Sequence, residues 1–476
     1  MKEYNIDITS SQLLLTYFLI LFSAILVFTA LGHILYQKRS PRSMIAWILS
    51  IAFLPYIAVP LYFFVGTRKR EPKYKKEYVQ FQSKAKHKPH ILKGVKGGIL
   101  DILEKNGIPP ATKNNTFELI TSSTVAYARM LSEIENAKYS IDICTYVFHF
   151  DDTTKNFLKA LEKKAQEGVK VRLLLDSVGS LGAYIVQRKF KTLREAGAEV
   201  AFFTSILKRP FVNYVNLRNH RKIYLFDQTI LLSGGMNLSD ECMGESDTIE
   251  RWEDLLYELK GPAVDNFFAI FCNDWMYATD KNYDTNKLDI VHKVLDVEDT
   301  VVQVVPSGPD ISTDALYETL LNAIYNAKER IWIVTPYFVP DENMVQALVI
   351  AQHKGVDVKL ITPKDSDHFF VDMVRSSYMR ELDEVGIDVV LYEGNMLHAK
   401  AILFDHESGM VGSVNFDNRS LFLNYEVVTF VHSKAFIQNV AIWMNSLISH
   451  SSRGMKAPSK PREALENVMK VFAPLL

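Results

Sequence analysis

Two stretches of this 476-residue sequence carry the same residue types at the same spacing. One reads His220-Arg221-Lys222-Ile223-Tyr224-Leu225-Phe226-Asp227 and continues to Gly234-Gly235-Met236-Asn237. The other reads His398-Ala399-Lys400-Ala401-Ile402-Leu403-Phe404-Asp405 and continues to Gly412-Ser413-Val414-Asn415. Both are H-x-K-x4-D-x6-G-[GS]-x-N. Five fixed positions recur by chance on the order of once per million starting points, so two occurrences are a strong signal. An extended strand turns residues i and i+2 to one side, which pairs His220 with Lys222 and His398 with Lys400. A glycine-containing bend then returns Asn237 or Asn415 beside the pair. Each copy offers an imidazole, an ammonium and an amide.

That set fits a phosphodiester. Lys222, Lys400, Asn237 and Asn415 suit its non-bridging oxygens, whose charge must be held while phosphorus is attacked. Two histidines suit a double displacement, in which one forms a phosphohistidine while the other protonates the leaving alkoxide and later deprotonates the acceptor. The lysines carry the electrostatic work, so neither a metal nor another cofactor is expected. A nucleophilic imidazole needs its second nitrogen held by an acceptor, and Asp254 and Glu426, at equivalent places downstream, are assigned that role. Asp227 and Asp405, at an odd offset from the lysines, face the other side of the strand and are expected to hold structure through buried hydrogen bonds. Tyr224, Phe226, Leu403 and Phe404 read as strand packing. Arg218 and Asn219, just ahead of His220, are candidates for steering phosphate; Asn418, Arg419, Ser420 and Asn424 either line the pocket or stabilise a loop. His87 and His90 receive no function.

The elements that must position these residues form an internal repeat. Glu135-Asn136-Ala137-Lys138 precedes an apolar run, as Tyr325-Asn326-Ala327-Lys328 does, and Gly168-Val169-Lys170-Val171 is matched by Gly355-Val356-Asp357-Val358. Short apolar strands alternating with helices indicate an α/β fold. The two units, residues 113–290 and 291–476, are expected to form a pseudo-twofold pair with one site at the join. Hydrophobic residues at 48% and charged residues at 23% exclude a disordered or low-complexity chain. The 54 Lys+Arg against 55 Asp+Glu count against a nucleic-acid groove, and no nucleic-acid partner is expected. Three scattered cysteines make no disulfide framework.

Residues 1–67 read as a transmembrane hairpin. Leu13 to Tyr36 is an apolar run whose one charged or basic residue is His33, and residues 44–66 carry no charge, so both are expected to span. Pro55 and Pro60 are tolerated there as a kink or a re-entrant bend. Lys38, Arg39 and Arg42 lie between the runs, against Lys2, Arg68, Lys69, Arg70, Lys73, Lys75 and Lys76 outside them. That bias puts both ends and the large C-terminal part on the cytoplasmic side. Residues 68–112, with Lys84, Lys86, Lys88, Lys93 and Lys96, read as a juxtamembrane linker near anionic headgroups. Near the end, Leu465, Val468, Met469 and Phe472 at helical spacing meet either the interface or the body of the protein.

The duplicated motif resembles the HKD motifs of the phospholipase D superfamily over nearly the whole chain. Within it the sequence is similar to bacterial cardiolipin synthases, through Leu61-Tyr62-Phe63-Phe64-Val65-Gly66, Asn216-Leu217-Arg218-Asn219-His220-Arg221-Lys222, Asn415-Phe416-Asp417-Asn418-Arg419-Ser420, Asn424-Tyr425-Glu426 and the closing Phe472-Ala473-Pro474-Leu475-Leu476. The resemblance implies two phospholipase D-like units behind a membrane hairpin, in a bacterial inner membrane. It implies transfer of a phosphatidyl group between two phosphatidylglycerol molecules, giving cardiolipin and glycerol. It also implies that His220, Lys222, Asp227, His398, Lys400 and Asp405 form the active-site set. The same chemistry with another acceptor gives a phospholipase D or a phosphatidylserine synthase; a membrane-anchored nuclease is the more distant alternative.

Overall fold

The computed structural model describes residues 10–36, 41–65, 76, 79, 81, 94–204, 217–246, 250–281 and 300–470. They fall into an N-terminal helical unit and a large α/β unit. Most of the basic linker, His87 and His90, Lys2, Lys38, Arg39 and the closing Phe472–Leu476 lie outside the described residues.

The helical unit contains α1 (Ser10–Tyr36), α2 (Pro41–Phe53) and α3 (Pro55–Val65). Among the described residues, Leu13–Tyr36 alone is a helix long and apolar enough to cross a bilayer. The expected second span is corrected: Leu54 interrupts the helix ahead of Pro55, leaving helices of 13 and 11 residues. Neither reaches the ~20 residues that a crossing needs. In one straight helix Trp47 and Tyr62 would stand roughly 22 Å apart along the axis. Their rings instead meet edge-on at 5.2 Å, so α2 and α3 fold back on each other. Tyr62 is fully buried, and its hydroxyl lies 2.6 Å from His33 Nδ1 on α1.

In the α/β unit the strands are β1 (Thr112–Ile120), β2 (Ser140–Thr145), β3 (Lys170–Asp176), β4 (Glu199–Phe203), β5 (Ile223–Phe226), β6 (Ile230–Gly234) and β7 (Leu256–Lys260) in the first half. The second half has β8 (Thr300–Ser307), β9 (Arg330–Val334), β10 (Phe338–Val339), β11 (Asp357–Pro363), β12 (Asp388–Tyr392), β13 (Ala401–Phe404), β14 (Ser408–Gly412), β15 (Phe416–Asp417), β16 (Glu426–His432) and β17 (Ser451–Arg453). All but β10 and β15, which pair separately, join one 15-stranded sheet. Outward from its centre the order is β1-β7-β6-β5-β2-β3-β4 on one side and β8-β16-β14-β13-β9-β11-β12-β17 on the other. The repeat seen in the sequence is thus a mirrored strand order about the antiparallel β1–β8 pair.

The inner strands are apolar on both faces because helices cover both. On β3, Val171, Leu173 and Leu175 enter one apolar cluster and Leu174 the other. Helix starts are set by capping: Asp151 with Thr154, and Asp341, which accepts from Met344 N–H at 3.0 Å. Gly168 and Gly355, at φ +89° and +86°, end corresponding helices in a conformation that L side chains disfavour. The C-terminal helix Lys460–Lys470 packs on the helix Phe369–Glu384, where fully buried Glu466 pairs with Arg380. Met469 packs against the core, while Leu465 and Val468 stay exposed.

Candidate active site

His220 and His398 sit just ahead of β5 and β13, strands that run antiparallel to β2 and β9. Two isolated parallel bridges decide what each histidine meets: Asn219 beside Tyr425, and Glu253 beside Leu397. His220 N–H donates to Tyr425 O at 2.9 Å, and His398 N–H donates to Glu253 O at 2.7 Å. Tyr425 precedes Glu426 and Glu253 precedes Asp254, so each imidazole receives a carboxylate from the opposite half. Asp254 Oδ2 lies 2.7 Å from His398 Nδ1. Glu426 Oε1 lies 3.6 Å from His220 Nδ1. Both carboxylates are fully buried.

The glycines of the motif are required by the neighbouring strand of their own half. A Cβ on Gly234 would stand 2.4 Å from Leu255 O, and one on Gly412 would stand 2.5 Å from Val427 O. The strand following each carboxylate lies too close for a side chain. The next position differs between the halves. A Cβ on Gly235 would fall 2.1 Å from Asp254 Oδ1, whereas the Ser413 hydroxyl donates to Glu426 Oε2 at 2.5 Å.

Lys222 Nζ donates to His220 O at 2.8 Å. Lys400 Nζ lies 2.9 Å from His398 Nδ1 and 3.0 Å from Nε2, and also bonds His398 O. Burial and the Lys400 charge push His398 down to about 4, with Asp254 opposing. Burial, then Lys222, Arg419, Lys400 and His398, push His220 well below the ordinary imidazole value. Charges of the second half thus act on His220, and Lys222 of the first half acts on His398. Burial lowers Lys400 to about 8 against the pull of Asp254, and raises Glu426 to about 7 against Lys222. Asp254 stays below the ordinary aspartate value, because Lys400 and His398 outweigh its burial. His220 Nε2 is buried with no hydrogen-bond partner. Asn237 Oδ1 accepts from Val147 N–H at 3.2 Å, and Asn415 Oδ1 is buried without a partner.

Asp227 and Asp405 stand apart from this group, which divides the six-residue set in two. Each lies at the far end of its strand, at φ +51°, an αL conformation that aspartate tolerates. Asp227 accepts from the N–H groups of Lys138, Tyr139 and Ser140, and Asp405 from those of Lys328, Glu329 and Arg330. They pin the loops entering β2 and β9. Tyr224, Phe226, Leu403 and Phe404 are buried strand residues. Arg218 and Asn219 support the strand: Asp176 accepts from Asn219 N–H at 3.0 Å and lies 3.4 Å from Arg218 Nη1. Ser420 N–H donates to Asp417, and Asn424 Nδ2 donates to Glu426 Oε1 at 3.4 Å.

Several residues here carry no sequence signal for their place. Tyr146 stacks on His220 with centroids 3.8 Å apart, and Trp252 lies 5.0 Å from His398. Arg221, between His220 and Lys222, points the opposite way and is fully buried. It donates to Glu426 O at 3.0 Å, to Asp274 at 2.7 Å and to Asp310 at 3.0 Å. Lys76 is a correction. Counted in the sequence among charges facing headgroups, it is buried between Asp274 and Asp310, 4.7 Å above the Tyr425 ring. A local charge count cannot see two aspartates about 200 residues away. Among the described residues no group of three or more His, Cys, Asp or Glu is placed to hold a metal ion.

Residues 130–275 and 320–448 match the family described as "Cardiolipin synthase, PLD-like domain", and residues 25–66 match "Phospholipase_D-nuclease N-terminal". The chain is 31% identical to cardiolipin synthase 1 of Bacillus cereus over 92% of its own length and 90% of that protein's. It is 34% identical to a cardiolipin synthase of Clostridium perfringens over 85% of its own length and 87% of that protein's. Among solved structures, phosphatidylserine synthase of Haemophilus influenzae superposes with a TM-score of 0.60 at 14% identity, covering 79% of this chain and all of that one. That likeness is one of fold.

Proposed function

The chain belongs to the cardiolipin synthases built on phospholipase D-like domains, and on that premise we propose that a phosphatidyl group passes through His220 on its way from one phosphatidylglycerol to another. The enzyme is a phosphatidyltransferase that makes cardiolipin. His220 Nε2 attacks phosphorus, and the bond from phosphorus to the departing glycerol breaks. His398 gives the alkoxide its proton. His398 then takes the proton of a hydroxyl on the second phosphatidylglycerol. That oxygen attacks phosphorus, the P–N bond breaks, and cardiolipin leaves with His220 restored. Lys222, Lys400, Asn237 and Asn415 hold the non-bridging oxygens.

The observation that carries this division is the unequal crossed pairing. An imidazolium needs an ionised partner in contact, and His398 has one in Asp254 at 2.7 Å. The negative charge of a bound phosphodiester offsets Lys222 and Lys400, which raises His398 so that it takes up the proton it must deliver. A nucleophile must keep its lone pair, and His220 has an unpartnered Nε2 beside a carboxylate raised to about 7. Asp227 and Asp405 serve the loops and not the reacting atoms.

Leu13–Tyr36 supports membrane association, which suits a substrate that never leaves the bilayer. The α/β unit lies on the cytoplasmic side in this reading. With α1 crossing and α2 folded back on α3, Lys38, Arg39, Arg42, Arg68, Lys69, Arg70, Lys73 and Lys75 fall on one side against Lys2 on the other, and that bias makes theirs the cytoplasmic side even once Lys76 is withdrawn. The test is product identity with phosphatidylglycerol as sole lipid. Cardiolipin with an equal amount of glycerol is expected; phosphatidic acid as the main product would reject the transferase reading in favour of hydrolysis.

A further inference from the structure

The ends of the sheet strands that carry the two histidines also carry exposed apolar side chains, one group from each half. In the first half the loop after β3 turns over Tyr146: Ser180 Oγ donates to Tyr146 O at 2.8 Å, and the Tyr146 ring lies against His220. The next residue is Leu181, 46% exposed, followed one helical turn later by Ile185, 71% exposed. In the second half the corresponding loop after β11 runs beside Tyr337, whose hydroxyl donates to Asp367 at 2.6 Å. Tyr337 precedes β10, which pairs with β15 directly after Asn415. Phe369 and Phe370 follow, 71% and 62% exposed. Water-exposed leucine, isoleucine and paired phenylalanine at the rim of a polar site are unfavourable for a protein whose rim faces only water.

We propose that these two tips, Leu181 with Ile185 and Phe369 with Phe370, insert together into the acyl-chain region of an anionic phospholipid bilayer and bring the mouth of the site down onto its lipid. This rests on the reading of the substrate as an anionic phospholipid. Charge argues for that surface. Arg188 and Lys189 are exposed just beyond Ile185, and Lys189 Nζ sits 4.5 Å above the Phe150 ring. Ammonium and guanidinium groups next to an inserting apolar residue meet phosphates at headgroup depth. Around the second tip, Lys364 is paired with Glu393 at 2.9 Å and Asp365 and Asp367 flank it. The electrostatic part of the attachment therefore belongs to the first half, and the second tip is anchored by its aromatics alone.

The test uses the full-length protein in nanodiscs of mixed phosphatidylglycerol and phosphatidylcholine. Cys144, Cys242 and Cys272 are buried, so a thiol-reactive spin label goes to an added cysteine. Leu181→Cys, Ile185→Cys, Phe369→Cys and Phe370→Cys are compared with Tyr139→Cys and Tyr325→Cys, exposed sites at the opposite ends of β2 and β9. Labels at the four tip sites are expected to collide more with oxygen than with a water-soluble nickel chelate, and labels at the two controls to do the reverse. Tip labels as open to nickel as the controls would overturn the proposal. In a second measurement, Ile185→Ser with Phe369→Ser is expected to raise KM for phosphatidylglycerol in vesicles about tenfold, while turnover of monomeric short-chain phosphatidylglycerol is unchanged. An equal loss on both substrates would assign these residues to the fold and overturn it as well. Collision rates need no turnover, so tips that insert in an enzyme yielding no cardiolipin would uphold the surface and reject the assigned reaction.

Discussion

In the first half Gly235 leaves room for the short carboxylate Asp254; in the second Ser413 fills that room and donates to the longer Glu426. Arg221 clamps the first histidine strand to Asp274 and Asp310, and the matching second-half residue is the small, fully buried Ala399. One motif therefore supports two electrostatic settings. Asp254 is ionised and in contact with His398; Glu426 is raised to about 7 and stands 3.6 Å from His220. Because the pairing crosses the pseudo-twofold, the change in one half sets the chemistry of the other. Duplication supplies the symmetric scaffold, and a one-methylene difference between carboxylates makes its two histidines unequal.

The comparison breaks most visibly at the histidines. His220→Ala and His398→Ala are each expected to lower cardiolipin formation by at least about a thousandfold while membrane insertion is unchanged. With a phosphatidyl ester of p-nitrophenol, whose leaving group needs no proton, His398→Ala should still release a burst of nitrophenol and His220→Ala should not. Bursts from both variants would dissolve the distinction. At the carboxylates, Asp254→Asn is expected to cost roughly a hundredfold or more in kcat, since His398 loses both its tautomer and its charge partner. Glu426→Gln should cost about tenfold or less. Exchanging the intervening residues sharpens this further: Gly235→Ser drives a side chain into Asp254 and should resemble Asp254→Asn, whereas Ser413→Gly should resemble the milder Glu426→Gln. Steady-state kinetics on purified proteins checks all four.

Titration gives a smaller effect with a definite sign. Lys400→Met removes a cation that favours the neutral imidazole, so His398 should move up from about 4 toward the ordinary value of about 6.5. Carbethoxylation of His398, which requires the neutral ring, should then begin at higher pH in the variant; an unmoved onset would contradict the assigned role of Lys400. Smallest in catalysis are the two aspartates at the far strand ends. Asp227→Ala and Asp405→Ala should each destabilise by about 2 kcal/mol, because three backbone N–H groups lose an acceptor. Per folded molecule, kcat should be nearly unchanged, as thermal unfolding measured beside activity would reveal.

Much of this site was legible from spacing alone. The i, i+2 pairing of His220 with Lys222, the odd offset of Asp227 and the repeat itself are local patterns, and strand periodicity turns them into geometry. Asp254 and Glu426 were legible as acceptors, but which of them serves which histidine was not. That depends on the bridges Asn219–Tyr425 and Glu253–Leu397, contacts between distant segments that leave no trace in local sequence. Lys76 was misread for a related reason: it sits in a run of lysines but meets its aspartates only after folding. The apolar stretch 44–66 showed its composition but not its bend, since Pro55 and Pro60 allow a span, a kink or a return, and the packing of Trp47 on Tyr62 decides among them.

One experiment bears most directly on the unequal histidines. His398→Ala, incubated with the phosphatidyl ester of p-nitrophenol, quenched in alkali and digested, should carry its phosphatidyl adduct on the peptide containing His220, seen by mass spectrometry. No such adduct, or one borne by His398 in the reciprocal His220→Ala protein, would contradict the assignment of nucleophile and acid to the two halves.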